Sequence, residues 1–178
     1  YPIPVIFMAF AVGANLGASV VVSRLFGAKD MARMKSAVST AFVACAFMSF
    51  FLTLIGYFFC GSMMRAVHTP ENIFADGQLY LKIYVYGITF LLLYNVCTGI
   101  FTALGDSKTP LYFLIGSSVG NIILDYYFVA CVGLGVAGVA WATFIAQGIS
   151  AILALTFLAM RLKKINCEGT FQWLDLVL

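Results

Sequence analysis

The spacing of the charges restricts this chain more than any other feature. No Asp, Glu, Lys or Arg occurs in residues 1–23, 36–64, 83–105, 109–124 or 126–160. A hydrocarbon layer of about 30 Å is crossed by roughly 20 apolar residues of helix. The bare runs therefore predict spanning helices at about Pro4–Leu25, Ala37–Phe59, Leu79–Leu104, Leu111–Val132 and Val136–Leu162. A β-barrel is excluded, because none of the runs sustains alternation of polar and apolar residues. Composition agrees: 63% of the residues are hydrophobic and 10% charged, where soluble domains carry about 25% charge. The fold class is thus all-α, a polytopic transmembrane helix bundle.

The charges that remain orient the bundle. Ten Lys and Arg are present. Arg24, Lys29, Arg33, Lys35, Lys108, Arg161, Lys163 and Lys164 fall on one side of five spans, and only Arg65 and Lys82 on the other. Cytoplasmic loops carry the excess of Lys and Arg, so the basic side is expected to be cytoplasmic and the start of the chain external. The same topology accounts for the net charge of +3 without nucleic acid as a partner. Connections are short. Gly27-Ala28-Lys29-Asp30 turns the first hairpin, and Gly105 to Pro110 turns the third into the fourth span. His68-Thr69-Pro70-Glu71 starts a helix with Thr69 expected as N-cap, and Gly133 to Gly138 separates the last two spans. Residues 1–164 form the bundle. Residues 165–178 begin a linker in which Phe171, Leu174, Val177 and Leu178 could make an amphipathic face. The chain opens on an apolar stretch without a basic leader, and it reads as a piece of something longer.

Asp125 interrupts this pattern. It is a carboxylate inside the fourth apolar run, where a charge costs at least about 2.5 kcal/mol and is seldom without a partner or a purpose. Asn121 precedes it by one helical turn, on the same face. An acid and an amide oxygen stacked in a membrane suit a cation or a proton. The plainer readings are an interhelical hydrogen bond, or a carboxylate close enough to the external end to reach water.

Other polar side chains supply candidate partners. Thr143 and Gln147 share a face of the fifth span, and Asn95, Thr98 and Thr102 share one of the third. Hard cations take such oxygen ligands, although Thr and Gln often serve only as glue between membrane helices. Asn15 lies mid-span between Gly13 and Gly17. Gly13/Gly17 and Gly116/Gly120 are GxxxG pairs, for which close helix packing is the expected meaning. Gly133, Gly135 and Gly138 spell G-x-G-x-x-G, but no strand precedes them and no βαβ unit is in prospect, so a dinucleotide site is rejected. Cys45, Cys60, Cys97, Cys131 and Cys167 form no metal or redox spacing and are read as small apolar packing residues. Tyr80, Tyr84, Tyr86, Tyr94, Tyr126 and Tyr127 are candidates for interface anchors or for the wall of a drug cavity. His68, the only histidine, falls in an external turn. No Ser/His/Asp or Cys/His arrangement suggests an enzyme, and no cofactor is expected beyond a coupling ion.

Several short motifs, in order, resemble one family. Thr102-Ala103-Leu104-Gly105-Asp106-Ser107-Lys108-Thr109-Pro110 resembles the ALGDTKTP connection of the multidrug and toxic compound extrusion (MATE) transporters. Asn121-Ile122-Ile123-Leu124-Asp125 resembles their NIxLD helix. Gly133 to Gly138 followed by Ala142-Thr143 resembles GxGVxGAAxAT, and Val22 to Asp30 resembles SQxxGAxD with Arg24 where Gln is common. The resemblance implies a twelve-helix, two-lobe antiporter of which these spans are helices two to six. It exports cationic and amphiphilic drugs in exchange for H⁺ or Na⁺ from the plasma membrane (the inner membrane of a Gram-negative cell). In one branch the resemblance places the ion, Na⁺ included, on Asp125, Asn121, Asn95 and Thr143, with Gln147, Thr98 and Thr102 available to line the cavity. A further acid would come from the first helix. That helix, the C-terminal lobe, lipid and drug are the implied partners. A lipid-linked oligosaccharide flippase of the same superfamily and a non-transporting membrane scaffold are the alternatives.

Overall fold

Long helices follow from long apolar runs, because a backbone in lipid must satisfy its polar groups within its own segment. The computed structural model describes residues 2–165, and within them every element is helical: α1 (Pro2–Gly27), α2 (Met31–Ala66), α3 (Glu71–Ala103), α4 (Lys108–Tyr126) and α5 (Gly135–Lys164), with a π-helical turn at Tyr127–Cys131 that prolongs α4. All five are long and apolar enough to cross a membrane. Phe171, Leu174, Val177, Leu178 and Cys167 lie outside the described residues.

The helices overrun the apolar stretches that predict them. α2 has 36 residues, or about 54 Å at the standard rise of 1.5 Å per residue, so its ends project beyond the hydrocarbon. Two boundaries depart from expectation. Thr69 is not the N-cap of α3: that position is held by Pro70, without a side-chain cap bond, and His68 just before it has a left-handed φ of 53°. The last connection is only Val132 to Leu134, because α5 begins at Gly135 and Gly138 lies inside it. The Asp30 carboxylate caps α2 by accepting the Arg33 backbone N–H at 3.1 Å.

α3 is the central post. α1, α2 and α5 all pack on it, whereas α4 rests mainly on α5 and touches α3 slightly. Its fully buried side chains include Ile88, Leu92, Val96, Cys97, Ile100 and Phe101, and those of its neighbours include Phe7, Met34 and Leu158. The approach of α1 is close enough to require glycine. A Cβ at Gly99 would stand 2.6 Å from the backbone oxygen of Asn15, a distance no real side chain keeps.

The GxxxG pairs do not repeat this. A Cβ added at Gly13, Gly17, Gly116 or Gly120 would meet nothing within 4 Å. Their expected role in helix packing is therefore not realised among the described residues; close contacts fall at other glycines, among them Gly99 and Gly56, which faces Val85. Cys45, Cys60 and Cys97 are buried as expected, but Cys131, the last residue of the π-helical turn, is exposed.

Candidate functional site

Beyond its first turn, the half-buried residues of α4 are Phe113, Ser117, Gly120, Asn121, Leu124 and Asp125, and none of its residues is fully buried. Their spacing of three and four marks one helical face. That face looks at α5, as the edge-on contact of Phe113 with Phe157 at 5.4 Å shows. Asn121 and Asp125 are thus carried to the helix–helix interface by the same periodicity that seats the helix. There the Oδ1 of Asp125 and the Nδ2 of Asn121 are buried, with no hydrogen-bond partner. Asp125 is the penultimate residue of α4, yet this oxygen does not escape to solvent.

Two orphaned polar atoms one turn apart make an unfinished site. Buried polar groups are nearly always paired, and an unpaired one costs about 1–3 kcal/mol. The carboxylate is an acceptor. The amide can present oxygen in place of nitrogen by turning over with no change of shape. Together they can offer oxygen ligands to a cation, or a proton-binding carboxylate beside a polar neighbour.

The remaining candidates are placed differently. Thr143 and Gln147 are half-buried on α5. On the wheel of α5, Thr143 falls between Phe157, which meets α4, and Phe144, which meets Phe90 of α3 at 5.4 Å. It therefore lies on the sector of α5 between its contact with α4 and its contact with α3. Gln147 turns to α3, its Oε1 standing 3.2 Å from where a Gly87 Cβ would be.

Asn95, Thr98 and Thr102 are satisfied within α3. The Asn95 amide donates to the Leu91 carbonyl at 2.8 Å. The hydroxyls of Thr98 and Thr102 donate to the carbonyls of Asn95 and Thr98 at 2.8 and 2.9 Å. Asn95 belongs to the sector of α3 that also holds Thr98 and Gly99, and that sector meets α1: the Asn15 amide donates to the Thr98 hydroxyl at 3.0 Å. The residues of α3 that reach toward α4 are Tyr94 and Phe101, through the Pro110 carbonyl and Phe113 respectively. The Asn15–Thr98 bond was not legible in the sequence, although Asn15 amid apolar residues signalled that a partner was needed.

The basic end is organised by Asp106. Its carboxylate accepts the Thr109 backbone N–H at 3.1 Å and the Thr109 hydroxyl at 2.7 Å, capping α4 in place of Ser107, which makes no cap bond. These bonds, the backbone one foremost, hold the Asp106 carboxyl below the usual carboxylate range, and the positive charge of Arg161 adds to the effect. The end of α5 therefore lies beside the α3–α4 connection, as the charge asymmetry requires.

Known proteins share this arrangement. Residues 2–127 match the MatE family. Over 176 residues the chain is 30% identical to the probable multidrug resistance protein YoeA of Bacillus subtilis, a match covering 97% of the chain and 38% of YoeA. It is 32% identical over 150 residues to the probable multidrug resistance protein YpnP of the same organism, covering 84% of the chain and 34% of YpnP. Among solved structures, MATE in its bent conformation superposes with a TM-score of 0.86 at 21% identity, over 97% of this chain and 38% of that one. A MOP superfamily transporter from Pyrococcus furiosus, described as having a binding pocket of reversed polarity that suggests a different function, gives 0.81 at 22% identity, over 98% and 38%. The chain thus spans little more than a third of the length of these proteins, and the structural likeness establishes the fold.

Proposed function

Because this chain belongs to the MatE family, we propose that it is part of the N-terminal lobe of an antiporter that exports cationic or amphiphilic drugs, with Asp125 as an ion-coupling group. Its relatives include probable multidrug resistance proteins, and the chain carries five spanning-type helices of a multi-pass membrane protein. On this reading they are helices two to six of twelve, the basic ends face the cytoplasm, and the rest of the transporter completes the cavity. The observation that carries the proposal is the pair of buried, unpartnered atoms on Asp125 and Asn121.

Asp125 alternates between an ion-bound and an open state. Na⁺ or H⁺ supplies the missing partner, with Asn121 next to it and Thr143 on the sector of α5 between α3 and α4. Asn95 keeps its Nδ2 on the Leu91 carbonyl, so its Oδ1 is the atom with which it would join. Occupancy removes the cost of the orphaned oxygen in the packed arrangement of α4 on α5, and so favours that arrangement over one in which the carboxylate is hydrated. A ligand shifts such an equilibrium only by its difference in affinity for the two states. Drug and ion exchange when each prefers a different state.

Asp125→Asn in the full-length transporter tests this. Asn keeps size and polarity but neither binds a proton near neutral pH nor carries the charge that holds Na⁺. Drug efflux from vesicles under an imposed H⁺ or Na⁺ gradient is expected to fall to background, with folding retained. Wild-type, gradient-dependent efflux by the variant would remove Asp125 from the mechanism. It would favour a scaffold role, in which an amide still bonds between helices for about 1 kcal/mol or less.

A further inference from the structure

The G-x-G-x-x-G sequence has no role in the coupling chemistry, yet all three glycines are constrained. Gly133 and Gly135 adopt left-handed φ values of 75° and 54°, which bring the chain from α4 into α5 within three residues. Gly138 is confined by space. A Cβ there would stand 3.0 Å from the Cβ of Phe128, and 3.2 Å from both the Phe128 carbonyl carbon and the Leu134 Cβ. These are atoms at or next to the backbone, and they cannot swing aside as the tip of a side chain does.

Phe128 belongs to the π-helical turn Tyr127–Cys131. That turn is wide: the Val132 N–H donates to the Tyr127 carbonyl five residues back, at 3.1 Å, and the Leu134 N–H reaches the Phe128 carbonyl at 3.0 Å. It begins two residues after Asp125. A π-turn inserts one residue into the helical register, and each residue is worth about 100° of rotation. If the turn reverted to α-geometry while α5 stayed in place, Asn121 and Asp125 would rotate off the side of α4 that faces α5.

We propose that Gly138 is a positioning residue for Asp125: by admitting the Phe128 backbone to within contact of α5, it seats the π-helical turn that sets the rotation of the Asn121–Asp125 face. This rests on the reading of Asp125 as the coupling group. A side chain at Gly138 pushes Phe128 outward, and the displacement passes directly to the carboxylate. Gly116 and Gly120 lie on α4 itself with open space at their Cβ positions, so they exert no such control.

The test uses the full-length transporter with Gly138→Ala and Gly138→Val, and Asp125→Asn in parallel. The readouts are the midpoint of efflux against Na⁺ concentration or pH, and thermal unfolding in detergent. Groups that orient an ion ligand from behind change affinity by roughly 10–100-fold when altered. Gly138→Val is therefore expected to shift the ion midpoint by about tenfold, and Gly138→Ala in the same direction by less, with the latter unfolding near the wild-type temperature. Gly138→Ala needs its neighbours to yield by only a few tenths of an ångström, so it remains informative if the valine variant fails to fold. Loss of coupling in Asp125→Asn together with an unshifted midpoint in the folded Gly138 variants overturns the positioning role alone. Wild-type coupling in Asp125→Asn removes the site itself, and the proposal with it.

Discussion

α3 and α4 are both apolar and both helical, but they are held in opposite ways. In the most apolar stretch of α3, 56% of the residues are buried within the bundle; in that of α4, none is. Every polar side chain of α3 singled out as a ligand has found a partner, in its own backbone or in Asn15. On α4, by contrast, the two such side chains keep unpartnered buried atoms. The difference separates architecture from chemistry. A helix packed on three sides, with its side-chain donors already engaged, has little freedom to move, whereas one held along a single face can move and has bonds still to make. Regions that move in function are drawn from the less stable parts of a structure.

Substitutions on the two helices test the contrast. The largest loss is expected from Leu92→Ala on α3. Leu92 is completely buried, and the cavity left there should cost about 2–4 kcal/mol, read as a lowered midpoint of unfolding in detergent. A neutral result would deny α3 its central place. Gly99→Ala should follow at about 1–3 kcal/mol from overpacking, since its Cβ must displace the Asn15 carbonyl; an unchanged melting temperature would mean that α1 and α3 separate freely.

The Asp106 cap at the start of α4 comes next. Asp106→Ala should cost about 1 kcal/mol, as lost N-caps do. Because the folded carboxyl is held low by its bonds to Thr109, its contribution is complete above the unfolded value of about 3.9 and is lost as pH falls through the lower folded value. The wild-type and Asp106→Ala unfolding curves should therefore converge in strong acid and stay apart at neutral pH. Convergence at neutral pH would show that the cap is idle. The smallest effect, within about 0.5 kcal/mol, is expected from Ile122→Ala, whose side chain is 67% exposed on the open side of α4. A loss several times larger in the full-length protein would show that another part of that protein packs there, and the contrast with α3 would have to be narrowed to these five helices.

Much of this was legible in the sequence, for reasons that differ by residue. The five spans and the basic end follow from hydropathy and charge, which the bilayer reads directly, so even their order needed no knowledge of contacts. The pairing of Asn121 with Asp125 followed from helical periodicity alone. Asn95 shows the limit: its periodicity placed it correctly with Thr98 and Thr102, but not which neighbour that sector meets, and it meets α1. The glycines show another. A GxxxG spacing permits close approach without commanding it, and which glycines are pressed depends on helix rotations that no local pattern specifies. The π-helical turn was invisible because one inserted residue leaves composition and hydropathy unchanged.

The position of Asp125 along the fourth span has an electrical consequence. With its π-helical turn the span covers Lys108–Cys131, 24 residues, or about 36 Å of helix, and Asp125 stands in the half remote from Lys108. A cation arriving from the Val132–Leu134 side reaches the carboxylate after crossing the smaller part of the transmembrane voltage drop. The same cation released toward the basic end crosses the larger part. Moving one elementary charge through 100 mV is worth about 2.3 kcal/mol. For a site at Asp125, the membrane potential therefore acts less on loading than on discharge, and a voltage step should change the rate of turnover more than the apparent affinity for the ion.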